Sequence, residues 1–323
     1  LALTRPAGSE EGARGRRPHD WCGGARRPRL YIMNALPGTT PASLQHHFTV
    51  DVEEFFHGTA FEPHVPRSSW DEWPRRSPEV MDRLLAVLDE HDLRATLFIV
   101  GGLAELEPDM VRRCAAAGHE IAAHSWDHRV VAAQKPEAFR DSVRRNRALL
   151  EDLTGTAVVG FRAPSFSITP GQEWAFDVLI EEGYRYDASL FPIRGHPTYG
   201  YPDAPVDPHW VHRPAGALVE IPATTLAFGG RLWPASGGAY FRFFPYGYLR
   251  SAFEQAVGRG EPATFYIHPW ELDVAPTVAA PWRTRLRAFY GLDRTWPRIE
   301  RLAREYRFRP IIETVDAMEA PDA

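Results

Sequence analysis

From residue 46 onward, short apolar runs alternate with stretches of helical periodicity. Runs at 46–52, 95–100, 119–123, 158–161 and 263–268 read as buried strands, with a shorter one at 218–221. Between them, 78–91, 108–117, 136–153, 173–182 and 246–257 read as helices. Ser77-Pro78 marks a helix start, and Gly118, Gly155 and Gly183 mark stops. Further helical stretches are expected at 281–290 and 296–306, with a last strand near 309–314. Such alternation predicts an α/β architecture with a parallel sheet, either a barrel or open, whose carboxyl strand ends form the active face.

Composition narrows the class. The chain has 323 residues, 44% of them hydrophobic and 24% charged, which suits a globular body and excludes disorder throughout. A formal charge of −5 weighs against nucleic acid as a partner. Residues 1–45 form an expected disordered extension, and 46–323 a single catalytic domain with an elaborated loop region at 192–245. Seven arginines and three acids fall in residues 1–32, which read either as a polyanion-binding arm or as sequence upstream of the true start. The body holds one cysteine, Cys114, read as a structural thiol, so a reducing compartment fits. Neither an apolar run long enough to span a membrane nor the apolar centre of a signal peptide is present, and a cytoplasmic location is the expectation.

The strand ends carry the chemistry. Asp51 and Glu53 lie two apart on the first strand, so both can face one side. His124 and His128 are four apart, which would set two imidazoles on one side of a helical turn. Two histidines and a carboxylate suit a hydrolytic metal. Ser125 stands where the His-Glu-x-x-His peptidase helix needs its base, which excludes that class. Arg162 and Ser165 follow the fourth strand, and His268 ends the late one. No dinucleotide or phosphate-binding glycine loop follows the first strand, and no Gly-x-Ser-x-Gly elbow occurs. Trp126 and Trp270, beside these residues, are candidates for lining the site. Arg242 either binds a substrate carboxylate or forms a structural pair.

The blocks FTVDVEEFF, HSWDH, FRAPSF, YRYDASLFP and FYIHPWELD, in that order, resemble the polysaccharide deacetylases of carbohydrate esterase family 4. HPWELD and GGAYFRFFPY are similar to the branch found beside exosortase and exopolysaccharide loci. The resemblance implies a distorted (β/α) barrel and N-deacetylation of an N-acetylhexosamine in a bacterial polysaccharide or its lipid-linked precursor. It implies a divalent metal, zinc first, with cobalt, nickel or manganese as alternatives. Asp51 matches the base, His124 and His128 the metal histidines, and Arg162 the arginine that holds the base. The family's second aspartate is replaced by Val52, leaving Glu53 as third ligand. The backbone at Ser165 matches the oxyanion position, His268 the acid, and Asp187 the carboxylate that tunes it. Two rival readings are a same-fold hydrolase of a small non-peptide amide and a glycan-binding barrel without catalysis.

Overall fold

A computed structural model describes residues 44–196, 198–273 and 278–318. The expected extension at 1–45 lies almost wholly outside them, as does Cys22. The central sheet contains β1 (His46–Val52), β2 (Thr96–Ile99), β3 (Glu120–Ala123), β4 (Gly160–Phe161), β5 (Tyr186–Asp187), β6 (His209–Arg213), β7 (Gly216–Glu220), β10 (Thr264–Ile267) and β11 (Phe308–Arg309). Their order is β10-β1-β2-β3-β4-β5-β7-β6, and only the β6–β7 pair is antiparallel. β11 pairs His46 and His47 of β1 before β2 takes over at Thr49.

Every residue of β1, β2 and β10 is buried, because helices cover the outer face of a parallel sheet. Those helices include α1 (Ser77–Glu90), α2 (Gly101–Leu106), α3 (Pro108–Ala116), α4 (Pro136–Thr154) and α5 (Trp174–Glu181). On α1, Val80, Met81, Leu84 and Leu88 turn inward. Ser77 is the first helical residue rather than the cap. Its N–H is taken by the buried Glu54 carboxylate at 2.8 Å, a favourable place for negative charge.

The ladder is not closed by a strand pair between β10 and β7 among the described residues. Irregular backbone bridges the gap instead. Tyr266 N–H donates to Ser236 O at 2.9 Å, and Thr264 N–H to Thr224 Oγ1 at 2.6 Å. Gly237 makes this approach feasible: with φ at 154°, a Cβ there would lie 1.8 Å from Tyr266 O. The 192–245 region thus contributes structure as well as loops. It holds β6, β7, the hairpin β8 (Thr225–Phe228) and β9 (Arg231–Pro234), and α6 (Gly238–Phe243).

After it come α7 (Tyr246–Arg259), α8 (Trp282–Phe289), α9 (Thr295–Glu305) and α10 (Ile311–Ala317). The strand expected at 309–314 is two residues long and gives way to α10. Pro310 cannot donate to a ladder and sits as the cap of a helix instead.

Candidate active site

At the carboxyl ends of β1, β3, β4 and β10 the strand-end residues meet. Asp51 leaves β1 buried, and its Oδ1 accepts a hydrogen bond from Arg162 Nη1 at 2.7 Å. The same Nη1 donates to Thr49 Oγ1 and Arg162 Nε donates to Ala188 O, so the buried guanidinium is fixed on three sides. Asp51 Oδ2 lies 3.9 Å from His268 Nε2.

Glu53, two residues on, faces the same histidine, with Oε1 3.8 Å from His268 Nε2. Burial pushes its carboxyl up, but His128, His268 and His124 around it outweigh this and hold it well below the usual carboxylate range. Its Oε2 is 2.6 Å from His128 Nε2, yet outside hydrogen-bond alignment. His124 Nδ1 is 2.7 Å from Arg162 O. A carbonyl can only accept, so Nδ1 carries the proton and Nε2 keeps a free lone pair. Burial lowers the His124 pKa to about 4 and keeps the ring neutral. Ligand atoms of Glu53, His124 and His128 lie within 4.8 Å of one another. Close approach without hydrogen-bond alignment, a neutral imidazole with a free Nε2 and an ionised carboxylate together fit a divalent cation.

The histidine pair does not converge through a helical turn. Residues 124–130 are irregular, and Ser125 and His128 both take positive φ, 60° and 56°. Ser125 Oγ accepts the His128 N–H at 3.1 Å and fixes that turn. Asn146 of α4 caps it from below, donating to Ser125 O at 2.7 Å.

His268 ends β10. Its Nδ1 donates to Glu271 Oε2 at 2.6 Å, and Glu271 Oε1 accepts from Arg242 Nε at 2.8 Å. Burial lowers the His268 pKa, but Glu271, Glu53 and Asp51 outweigh it and raise it to about 9. The carboxylate that tunes His268 is therefore Glu271, and the assignment of that role to Asp187 is corrected. The one-turn helix Pro269–Leu272 folds Glu271 back under the ring. Asp187 pairs across to Glu220 of β7 and is held by Ser189, whose N–H and Oγ donate at 3.0 and 2.6 Å. The i, i+3 spacing of His268 and Glu271 was the available signal. Arg242 resolves as a buried structural pair with Glu271.

Trp270 stacks on His268, centroids 5.1 Å apart, and its Nε1 donates to Glu53 Oε1 at 3.2 Å. Trp126 does not line the site. Its ring is covered by the Arg145 guanidinium, 3.3 Å from the centroid, and packs against Gly101. Ser165 and Phe166 adopt positive φ, and Ser165 Oγ lies 2.6 Å from Thr59 Oγ1, which pins the turn after β4. His57 is buried near the centre, its ring 6.2 Å from His128, with Nδ1 accepting the Glu54 N–H. His268 is the accessible member: its side chain is 18% exposed, against 3% for Asp51 and Glu53.

Residues 64–175 match the family model described as polysaccharide deacetylase, and residues 188–316 match a domain of unknown function, DUF3473. A peptidoglycan deacetylase from Helicobacter pylori is 31% identical over 117 residues, 36% of this chain and 39% of that protein. A chitooligosaccharide deacetylase from Sinorhizobium fredii is 36% identical over 107 residues, 33% and 45% of the two chains. Family model and relatives alike are polysaccharide deacetylases, and the likeness to them covers about a third of this chain. The chain spans less than half the length of these two deacetylases. Within the deacetylase match fall His124, His128, Arg162 and Ser165; Asp51 and Glu53 precede it, and His268 lies in the second match. In fold, the chain is similar to a Mycobacterium smegmatis structure provisionally named a polysaccharide deacetylase. That match has a TM-score of 0.57 at 18% identity and covers 91% of this chain and all of that one. The Puue allantoinase structure gives a TM-score of 0.55 at 18% identity, covering 84% of this chain and 88% of that one.

Proposed function

We propose that this protein is a metal-dependent hydrolase that removes N-acetyl groups from N-acetylhexosamine residues of a bacterial polysaccharide or its lipid-linked precursor, in the exopolysaccharide-associated branch. The observation that carries the reading is the meeting of an Arg-held carboxylate, a His-His-Glu cluster and a carboxylate-held histidine, whose Nε2 lies 3.9 Å from the first and 3.8 Å from the second.

Glu53, His124 and His128 would hold the cation. When bound, a divalent ion polarises the acyl carbonyl and makes a water more acidic. Asp51 takes the proton of the attacking water. Arg162 holds Oδ1, so the free Oδ2 faces the reaction and the carboxylate stays in one orientation. In the turn after β4 the Phe166 and Ser167 N–H groups already donate to Ala163 O and Pro164 O, so the Ser165 N–H is the donor assigned to the developing oxyanion. His268, protonated through neutral pH, gives its proton to the departing amine, which leaves poorly otherwise. Trp270 walls the histidine and orients Glu53 at once.

The test is acetate release from N-acetylated chitooligosaccharides and peptidoglycan fragments, with metal content measured on the same samples. Asp51→Asn is expected to keep its metal and lose about 10²- to 10⁴-fold in kcat. Glu53→Gln is expected to lose the metal. Turnover that survives complete chelation, or hydrolysis of small cyclic amides in place of glycans, would overturn the proposal.

A further inference from the structure

α8 exposes an apolar row. Trp282, Leu286 and Phe289 recur at i, i+4 and i+7, with Trp282 68% and Leu286 46% exposed. Tyr290 and Phe243 extend it, their rings stacked at 4.9 Å. Monomeric proteins rarely leave such a contiguous apolar face uncovered. Arg283, Arg285 and Arg287 are interleaved with the row and exposed, and residues 281–291 contain no acid. A chain of net charge −5 thus carries a local +3 around Trp282, the most exposed tryptophan among the described residues.

We infer that this face docks on an anionic phospholipid bilayer, with Trp282 and Leu286 entering the headgroup boundary and the arginines meeting lipid phosphates. Charge complementarity selects the occupant. Aromatic and aliphatic side chains on one face with arginine at the margin are the marks of an interfacial helix. Leu286, in the middle of the row, is aliphatic and offers a pyranose no flat ring to stack on.

The face is tied to the site through one side chain. Arg242 donates to Tyr290 O at 2.6 Å and to Arg287 O at 3.4 Å, and it also holds Glu271, the partner of His268. Phe289 stacks on Phe61 of the segment after β1, centroids 5.4 Å apart. The inference stands on α8 alone and does not depend on the deacetylase chemistry.

The experiment is co-sedimentation of the full chain with vesicles of phosphatidylglycerol and phosphatidylcholine, against phosphatidylcholine alone. Binding is expected only to the anionic vesicles and is expected to weaken with salt. Trp282→Ser/Leu286→Ser should weaken it at least about ten-fold. Arg283→Gln/Arg285→Gln/Arg287→Gln should weaken it on the order of a hundred-fold. Circular dichroism checks folding, and if the first variant misfolds, the arginine variant decides; it gives up the Arg283 contact with the Trp282 ring and the Arg287 contact with His196 but removes no apolar side chain. Absence of binding to anionic vesicles, or binding that neither variant changes, would overturn the assignment. So would retention on an acidic polysaccharide, or dimerisation, that both variants abolish without any vesicle binding.

Discussion

His268 sits between a carboxylate on each nitrogen, Glu271 at Nδ1 and the Asp51–Glu53 pair 3.8 to 3.9 Å from Nε2. Raised to about 9, it keeps its proton through neutral pH and loses it above. An acid that must be protonated therefore gives a kcat profile that falls as pH rises past about 9. Glu271→Gln removes the attraction that holds the proton, so the alkaline limb should move down by about a unit or more. kcat at pH 8 falls with it, while metal content stays. A pH–rate profile with an unmoved limb would show that Glu271 does not tune the acid. Arg162→Lys should also lower kcat with metal retained. A lysine cannot reach Asp51, Thr49 and Ala188 O together from one planar fork. Equal kcat in this variant would remove Arg162 from the positioning role.

The strands are short, and single positions in them carry large consequences. At Gly160 of β4 a Cβ would sit 2.1 Å from the Tyr186 ring, and Tyr186 is buried with its hydroxyl bound to Glu120 at 2.7 Å. Gly160→Ala should cost about 2 kcal/mol or more in stability, read as a lowered denaturation midpoint, because the ring has nowhere to move. Unchanged stability would mean that β4 and β5 can separate. Periodicity located β1, β2, β3, β10 and most helices to within a few residues, since apolar runs of that length are buried whichever neighbours they find. It misplaced 309–314, where a short apolar run fits strand and helix equally and Pro310 settled the matter. It also gave the HSWDH block a helical turn. Two left-handed residues, Ser125 and His128, depart from any repeating pattern and leave no periodic trace.

In the sheet as a whole, Asp187 and Glu220 stand opposite each other on β5 and β7, both fully buried. Burial and the neighbouring Asp187 push Glu220 well above the usual carboxylate range, so folding favours its protonated form. A raised carboxyl contributes stability that is fully present below its unfolded pKa and fades as pH rises towards its folded value. Glu220→Gln removes that titration and keeps a group able to accept the Leu190 N–H, now 2.8 Å from Glu220 Oε1. The variant's melting temperature relative to the native chain should therefore rise as pH goes from 5 to 8. A constant difference across that range would mean that Glu220 does not titrate.

The motif residues were legible because their types and their places at strand ends are local properties: Asp51, Glu53, His124, Arg162 and His268 stand at the ends of apolar runs, and His128 follows His124 by four residues. Partnership was not local. Asp187 looked suited to His268 and went to Glu220, because parallel register sets Asp187 opposite that residue. Trp126 neighbours both His124 and His128 in the chain, but the left-handed turn at Ser125 sends its ring to Arg145 on α4. Trp270 reaches Glu53 across 217 positions of sequence, through the β1–β10 ladder. Residue type and apolar period are written position by position. Which carboxylate meets which imidazole depends on strand register and on a few strained turns, and those exist only once the sheet has formed.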